Sequence, residues 1–288
     1  MNLPARILSA LCFIWISSFS APAVAWVYPE HRDIAVRAVS SLSRPQQQAL
    51  QRLWESSRAG LEDRLCQQAA DPEQDIAAAC IDWAALSGIA GDHSCSSAEM
   101  LSTVSEADWI LQVAEIAEQL KINLAEIPVL VPPARMRRNS DLVADTREML
   151  AIRENQAART NALRVADSDL QRADVKYATR AASNNAHFLL SRLEPGQSGE
   201  DYAAAALQSG SEVNAIGVYS WYHLSALQKA GRLASEQLDE RERQALVKAM
   251  LFDEAFGLHF LEDTFASGHI AGTWGDASQR KGTHDYYN

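Results

Sequence analysis

The residues best suited to chemistry lie near the end of the chain, in the run HFLEDTFASGH from His259 to His269. His259 and Asp263 are four apart, so on a helix they project from one face. Neutral imidazole and carboxylate are both good zinc ligands. His269, six residues beyond Asp263, points elsewhere if the helix continues. Ser267 and Gly268 supply a stop signal, because glycine tolerates the left-handed backbone that ends a helix. The chain can then return His269 to the same cavity, and His284 follows after a glycine-rich stretch. Two distant segments carry the same kinds of group. One is Trp26-Val-Tyr-Pro-Glu-His31, and the other is Asp82-Trp83 followed by His93.

Residues 1–25 read as a signal peptide. Arg6 gives a basic start, Ile7 to Ser17 is mostly apolar, and Ala23-Val24-Ala25 is an A-x-A cleavage site. The apolar run is short for a membrane span. Cleavage would give a periplasmic or secreted protein that starts at Trp26, with no transmembrane segment after the leader is removed. The formal net charge is −11, and loss of Arg6 makes it one unit more negative. An acidic protein is a poor general binder of phosphate backbones, although a bound cation supplies local positive charge. Cys12 leaves with the leader, and Cys66, Cys80 and Cys95 stay in an oxidising compartment. The expected disulfide is Cys80–Cys95, which brackets Asp82 and His93. The alternative is that all three are buried or free thiols.

The elements that must position these groups are helices. Only 13 glycines and 9 prolines interrupt the 288 residues, and helix-forming residues dominate. The pattern predicts an all-α protein with helices over Pro29–Leu42, Gln46–Leu65, Asp71–Ala85, Ala98–Leu120, Asp141–Leu163, Asp167–Leu193 and Tyr202–Lys229. A break at Gly231 precedes a last helix over Ser235–Ala266. No fixed repeat and no clean domain boundary stands out, so residues 26–288 read as one domain.

Taken together, the motif residues resemble the superfamily that joins bacterial zinc-dependent phospholipases C to fungal and plant single-strand nucleases. His259, Asp263 and His269 match its H-x3-D-x5-H hallmark. Trp26-x4-His31 looks like the nuclease branch, and the long stretch from Trp26 to Asp82 looks more like the phospholipase branch. The resemblance covers about 26–93 and 250–288, which leaves a large helical insertion over about 98–235. It implies a multi-helix bundle holding two or three zinc ions. One ion would take Asp82, His93, His259 and Asp263. A second would take His269, His284 and a further ligand. A third would take the Trp26 amine and carbonyl, His31 and a bridging Asp263. A free α-amino group and its own carbonyl chelate a metal in a five-membered ring, which an internal residue cannot do. Where the family completes the second ion with Glu or Asp, this sequence has Asn288, a poor zinc ligand. A carboxylate beyond the end of the given sequence would fill that place.

The activity implied is zinc-dependent hydrolysis of phosphodiester bonds, with Asp82 orienting or deprotonating the attacking water. A phospholipase C-like enzyme acting on phospholipid, with peripheral membrane contact, is the leading expectation. A single-strand nuclease acting on nucleic acid is the alternative, and a zinc-stabilised helical binding module without activity is the third. His187 and His223 read as core or surface histidines. The group Tyr219, Trp221 and Tyr222 reads as core, and Arg135, Arg137 and Arg138 read as a solvated loop.

Overall fold

The computed structural model describes residues 26–70, 80–130, 142–181, 184–192, 194, 196–266 and 269, with side chains left aside at 142–145, 181, 184 and 185. Its elements are α1 (Tyr28–Ser41), α2 (Arg44–Ser57), α3 (Trp83–Ile89), α4 (Ser97–Glu106), α5 (Trp109–Ala125), α6 (Leu142–Ala173) and α7 (Tyr177–Ala181). A 3-10 turn (Asn184–His187) follows, then α8 (Gly199–Leu207), α9 (Ala215–Ser235) and α10 (Glu240–Asp263). The expected all-α class holds, and no strand forms among the described residues beyond an isolated bridge between Leu65 and Ile81. Among these residues no helix is long and apolar enough to cross a membrane.

Helix α10 is the axis of the fold. Asp239 caps its first turn through the Glu242 amide, and Glu242 answers at the Asp239 amide, so the helix starts abruptly. From Val247 onward most of its side chains are buried, including Phe252, Phe256 and Phe260. Such all-round burial marks a helix enclosed by others. It packs along α9 and meets α2, α3 and α4, while α3 also lies against α1. Trp54, Leu65, Ile81, Leu86, Ile89, Met100 and Ile110 fill the core around it. At the crossing of α1 and α3, a side chain at Gly88 would stand 2.8 Å from the Tyr28 ring, so glycine permits this approach.

Several expected boundaries move. The helix anticipated over 98–120 is two helices, α4 and α5, because Arg64 ends the first of them. Arg64 Nε donates to the Val104 carbonyl at 2.7 Å, a second nitrogen bonds the Ala107 carbonyl, and a third reaches Asp108 at 3.0 Å. These bonds satisfy carbonyls that a continuing helix would have used. Helix α6 runs unbroken through the expected gap at 164–166, and α9 continues through Gly231, where a side chain would meet nothing. One exposed glycine costs only about 1 kcal/mol. The predicted helix over 71–85 lies partly outside the described residues, and its described end is the start of α3.

The disulfide joins Cys66 to Cys80, not Cys80 to Cys95. Main-chain bonds from Cys66 to Ile81 and from Ile81 to Arg64 lay the two segments side by side and bring these cysteines together. Cys95 is an exposed free thiol. The aromatic group on α9 also divides. Tyr222 packs on Phe256 with ring centres 4.5 Å apart, whereas Trp221 is 73% exposed.

Candidate metal centre

The last turn of α10 sets the site. His259 and Asp263 share a face as their spacing predicts, and His259 Nε2 lies 3.3 Å from Asp263 Oδ2. The helix ends at Asp263, and His269 lies back on it with Nδ1 3.1 Å from Asp263 Oδ1. The turn proposed at Ser267 and Gly268 lies outside the described residues. From α1, His31 brings Nε2 to 3.5 Å from Asp263 Oδ1, its ring stacked on His259 at 4.3 Å. From the 3-10 turn, His187 Nδ1 reaches Asp263 Oδ2 at 2.7 Å and His259 Nε2 at 3.0 Å. One carboxylate is therefore surrounded by four imidazoles, all buried.

The outward-facing nitrogens are held too. His31 Nδ1 meets Glu262 Oε2 at 2.6 Å, and His259 Nδ1 meets the Ser87 carbonyl at 2.7 Å. Both partners accept, so both Nδ1 atoms carry the proton. That leaves each Nε2 available to bind a cation, the usual outer-shell arrangement of a metal-binding histidine. Trp26 donates its indole N–H to the Glu262 carbonyl at 3.0 Å, and Glu30 reaches back to the Val27 amide at 3.1 Å. The first bond holds the start of α1 against the end of α10, and the second caps α1.

Electrostatics follow from burial and from these neighbours. Burial drives His259 down to about 3, so its imidazole is neutral. Burial opposes the charged form of His31 as well, but the Glu262 hydrogen bond and the Asp263 charge outweigh it and lift His31 to about 9. Burial resists ionisation of Asp263, yet the surrounding histidines hold it well below the usual carboxylate range. A proton on His31 Nε2 and a metal ion are therefore alternatives, since a ligand must give up its proton to bind.

The donors fit a metal ion. His31 Nε2 and Asp263 Oδ1 are both buried with no hydrogen-bond partner. Buried polar atoms without partners are costly, and once His31 gives up its Nε2 proton a cation between the two atoms would satisfy both. Among the described residues, donor atoms within 4.8 Å of one another are offered by His31, His259 and Asp263, and by Asp92, His187 and His259. No family model matches the chain, and no curated protein or solved structure matches it either.

The other expected ligands stand differently. Asp82 belongs to neither set. Its carboxylate takes Arg32 Nη2 at 2.7 Å and Nε at 3.2 Å, and caps α3 at the Ala85 amide. His93 also belongs to neither. It pairs with Asp174 at 3.0 Å and stacks on Tyr177, while Arg180 holds the same Asp174. His284 and Asn288 lie outside the described residues, as do Arg135, Arg137 and Arg138. His223 is partly exposed and pairs with Glu254 at 2.8 Å.

Three members escaped the sequence reading. Glu262 adjoins Asp263 and was hidden by its neighbour's stronger motif. Asp92 follows Gly91, whose φ of +74° turns the chain into the cluster. A side chain at Gly91 would stand 2.5 Å from both His187 and His259. His187, read as a core or surface histidine, is buried but faces the centre. No local pattern marks it, because only the tertiary placement of the 3-10 turn brings it there.

Proposed function

We propose that this chain is a zinc-dependent hydrolase of phosphodiester bonds, phospholipase C-like in substrate class, acting in the periplasm or outside the cell. The carrying observation is the buried Asp263 carboxylate, with His31 and His259 turned toward it and an oxygen that lacks a hydrogen-bond partner. The H-x3-D-x5-H spacing and the Trp26-to-His31 segment support the same reading, because the fold brings both to one place. The Cys66–Cys80 disulfide suits an oxidising compartment.

His31, His259 and Asp263 would hold the metal ions, and the resemblance adds Trp26, His269 and His284. Bound zinc supplies Lewis-acid stabilisation of charge on a phosphoryl group and a nucleophile at neutral pH. The chain's own part is positional. The Ser87 carbonyl and Glu262 fix which nitrogen of each histidine is free, and Trp26 secures the segment that carries His31. Asp82 already serves Arg32 and Ala85, so we assign it no acid–base step.

The test is hydrolysis of phosphatidylcholine vesicles and of single-stranded DNA by the zinc-loaded mature protein. Faster turnover of the lipid supports the reading. Release of nucleotides with no lipid turnover would assign the site to nucleic acid. Zinc binding with activity on neither substrate would make the chain a zinc-stabilised binding module.

A further inference from the structure

We propose that His187 is a direct metal ligand, acting with His259, Asp263 and Asp92, and that the 3-10 turn which carries it thereby completes the metal centre. The inference rests on the metal-binding part of the reading above. The resemblance gives the corresponding places to Asp82 and His93, but this fold commits Asp82 to Arg32 and to the cap of α3 and pairs His93 with Asp174.

His187 Nδ1, His259 Nε2 and Asp263 Oδ2 form a triangle with edges of 2.7, 3.0 and 3.3 Å. Ligand atoms on a tetrahedral zinc with bonds of 2.0–2.1 Å lie about 3.3 Å apart, so the triangle is a slightly contracted face of such a site. His259 Nδ1 donates to the Ser87 carbonyl, so His259 Nε2 presents only a lone pair. Asp263 Oδ2 is also an acceptor, and a single proton on His187 Nδ1 cannot serve both. With the His187 proton on Nε2 instead, a cation beside the three atoms would satisfy all of them at once.

Asp92 offers a carboxylate oxygen that groups with His187 and His259, and Gly91 keeps the approach open where any side chain would strike both rings. The two oxygens of Asp263 also sort its neighbours. Oδ2 faces His187 and His259, whereas Oδ1 faces His31 and His269. A carboxylate so placed can bridge two ions.

The test uses the full mature chain and compares wild type with His187→Asn, His187→Cys and Gly91→Ala. Zinc content, affinity by competition with a chelator, and the absorption spectrum of the cobalt(II) form are measured. Asparagine keeps a donor for Asp263 but is a poor metal ligand, whereas cysteine keeps a ligand. His187→Asn should weaken one zinc equivalent by at least about 100-fold, the upper end of the loss seen for outer-shell partners. His187→Cys should retain that equivalent, and its cobalt form should gain a thiolate charge-transfer band in the near ultraviolet. Gly91→Ala should lose the same equivalent as His187→Asn. Circular dichroism matching wild type shows that the His187 variants are folded. Wild-type affinity in His187→Asn, or no thiolate band in His187→Cys, would make His187 a positioning residue and overturn the proposal while leaving the metal centre intact. A wild-type chain that binds no zinc would overturn both.

Discussion

Helix α10 buries two aspartates ten residues apart, and their surroundings differ in kind. Asp253 accepts from Ser97, Ser225 and Lys229, all donors whose protons are not in question. Asp263 is surrounded by four imidazoles, and one of its oxygens has no hydrogen-bond partner. Burial is similar, at 6% and 0% exposed, so burial does not separate the two. The difference lies in whether the neighbours complete the carboxylate's hydrogen bonds. A completed set rigidifies a helix junction, whereas an incomplete one among metal-ligating groups marks a place for a cation.

Substitution can break that comparison. Asp263→Asn should abolish phosphodiester hydrolysis, with a loss of about 10³-fold or more expected when charge stabilisation is removed, and thermal stability should no longer respond to a chelator. Asp253→Ala should leave zinc content unchanged but cost about 3 kcal/mol by chemical denaturation, because Lys229 and two serine hydroxyls lose their shared acceptor. If the two variants behaved alike, the distinction between the aspartates would collapse. Glu262→Gln sharpens the contrast further. It keeps the shape of the His31 partner but weakens its hold, so zinc affinity should fall by about 10–100-fold in a competition titration. The smallest change is expected at His223→Ala. That pair is partly exposed and away from both clusters, so stability should shift by no more than about 0.5 kcal/mol with zinc content unaltered.

Much of the site was legible where the physics is local. His259 and Asp263 meet because helix geometry places residues four apart on one face. The ending of α10 at Asp263 was not legible in the same way, since the residues offered as its stop lie beyond the described helix. Contacts made across the chain escaped. The break between α4 and α5 depends on Arg64, some 40 residues earlier. The disulfide depends on main-chain pairing of 64–66 with 81, and sequence spacing cannot reveal which cysteines such pairing selects. Asp82 was placed among the ligands, yet its charge is met by Arg32, 50 residues before it. His187 has no periodic or motif context, so only its position in space shows which groups it faces. The helical class was readable throughout, because composition and breaker content act residue by residue.

The most direct test of the central claim is metal analysis of the mature protein after expression with zinc. Asp263→Asn and Asp253→Asn are purified in parallel. Wild type and Asp253→Asn should each carry two or three zinc ions per chain, with loss of at least one in Asp263→Asn. A wild-type protein without zinc, or three preparations with equal zinc, would contradict that claim.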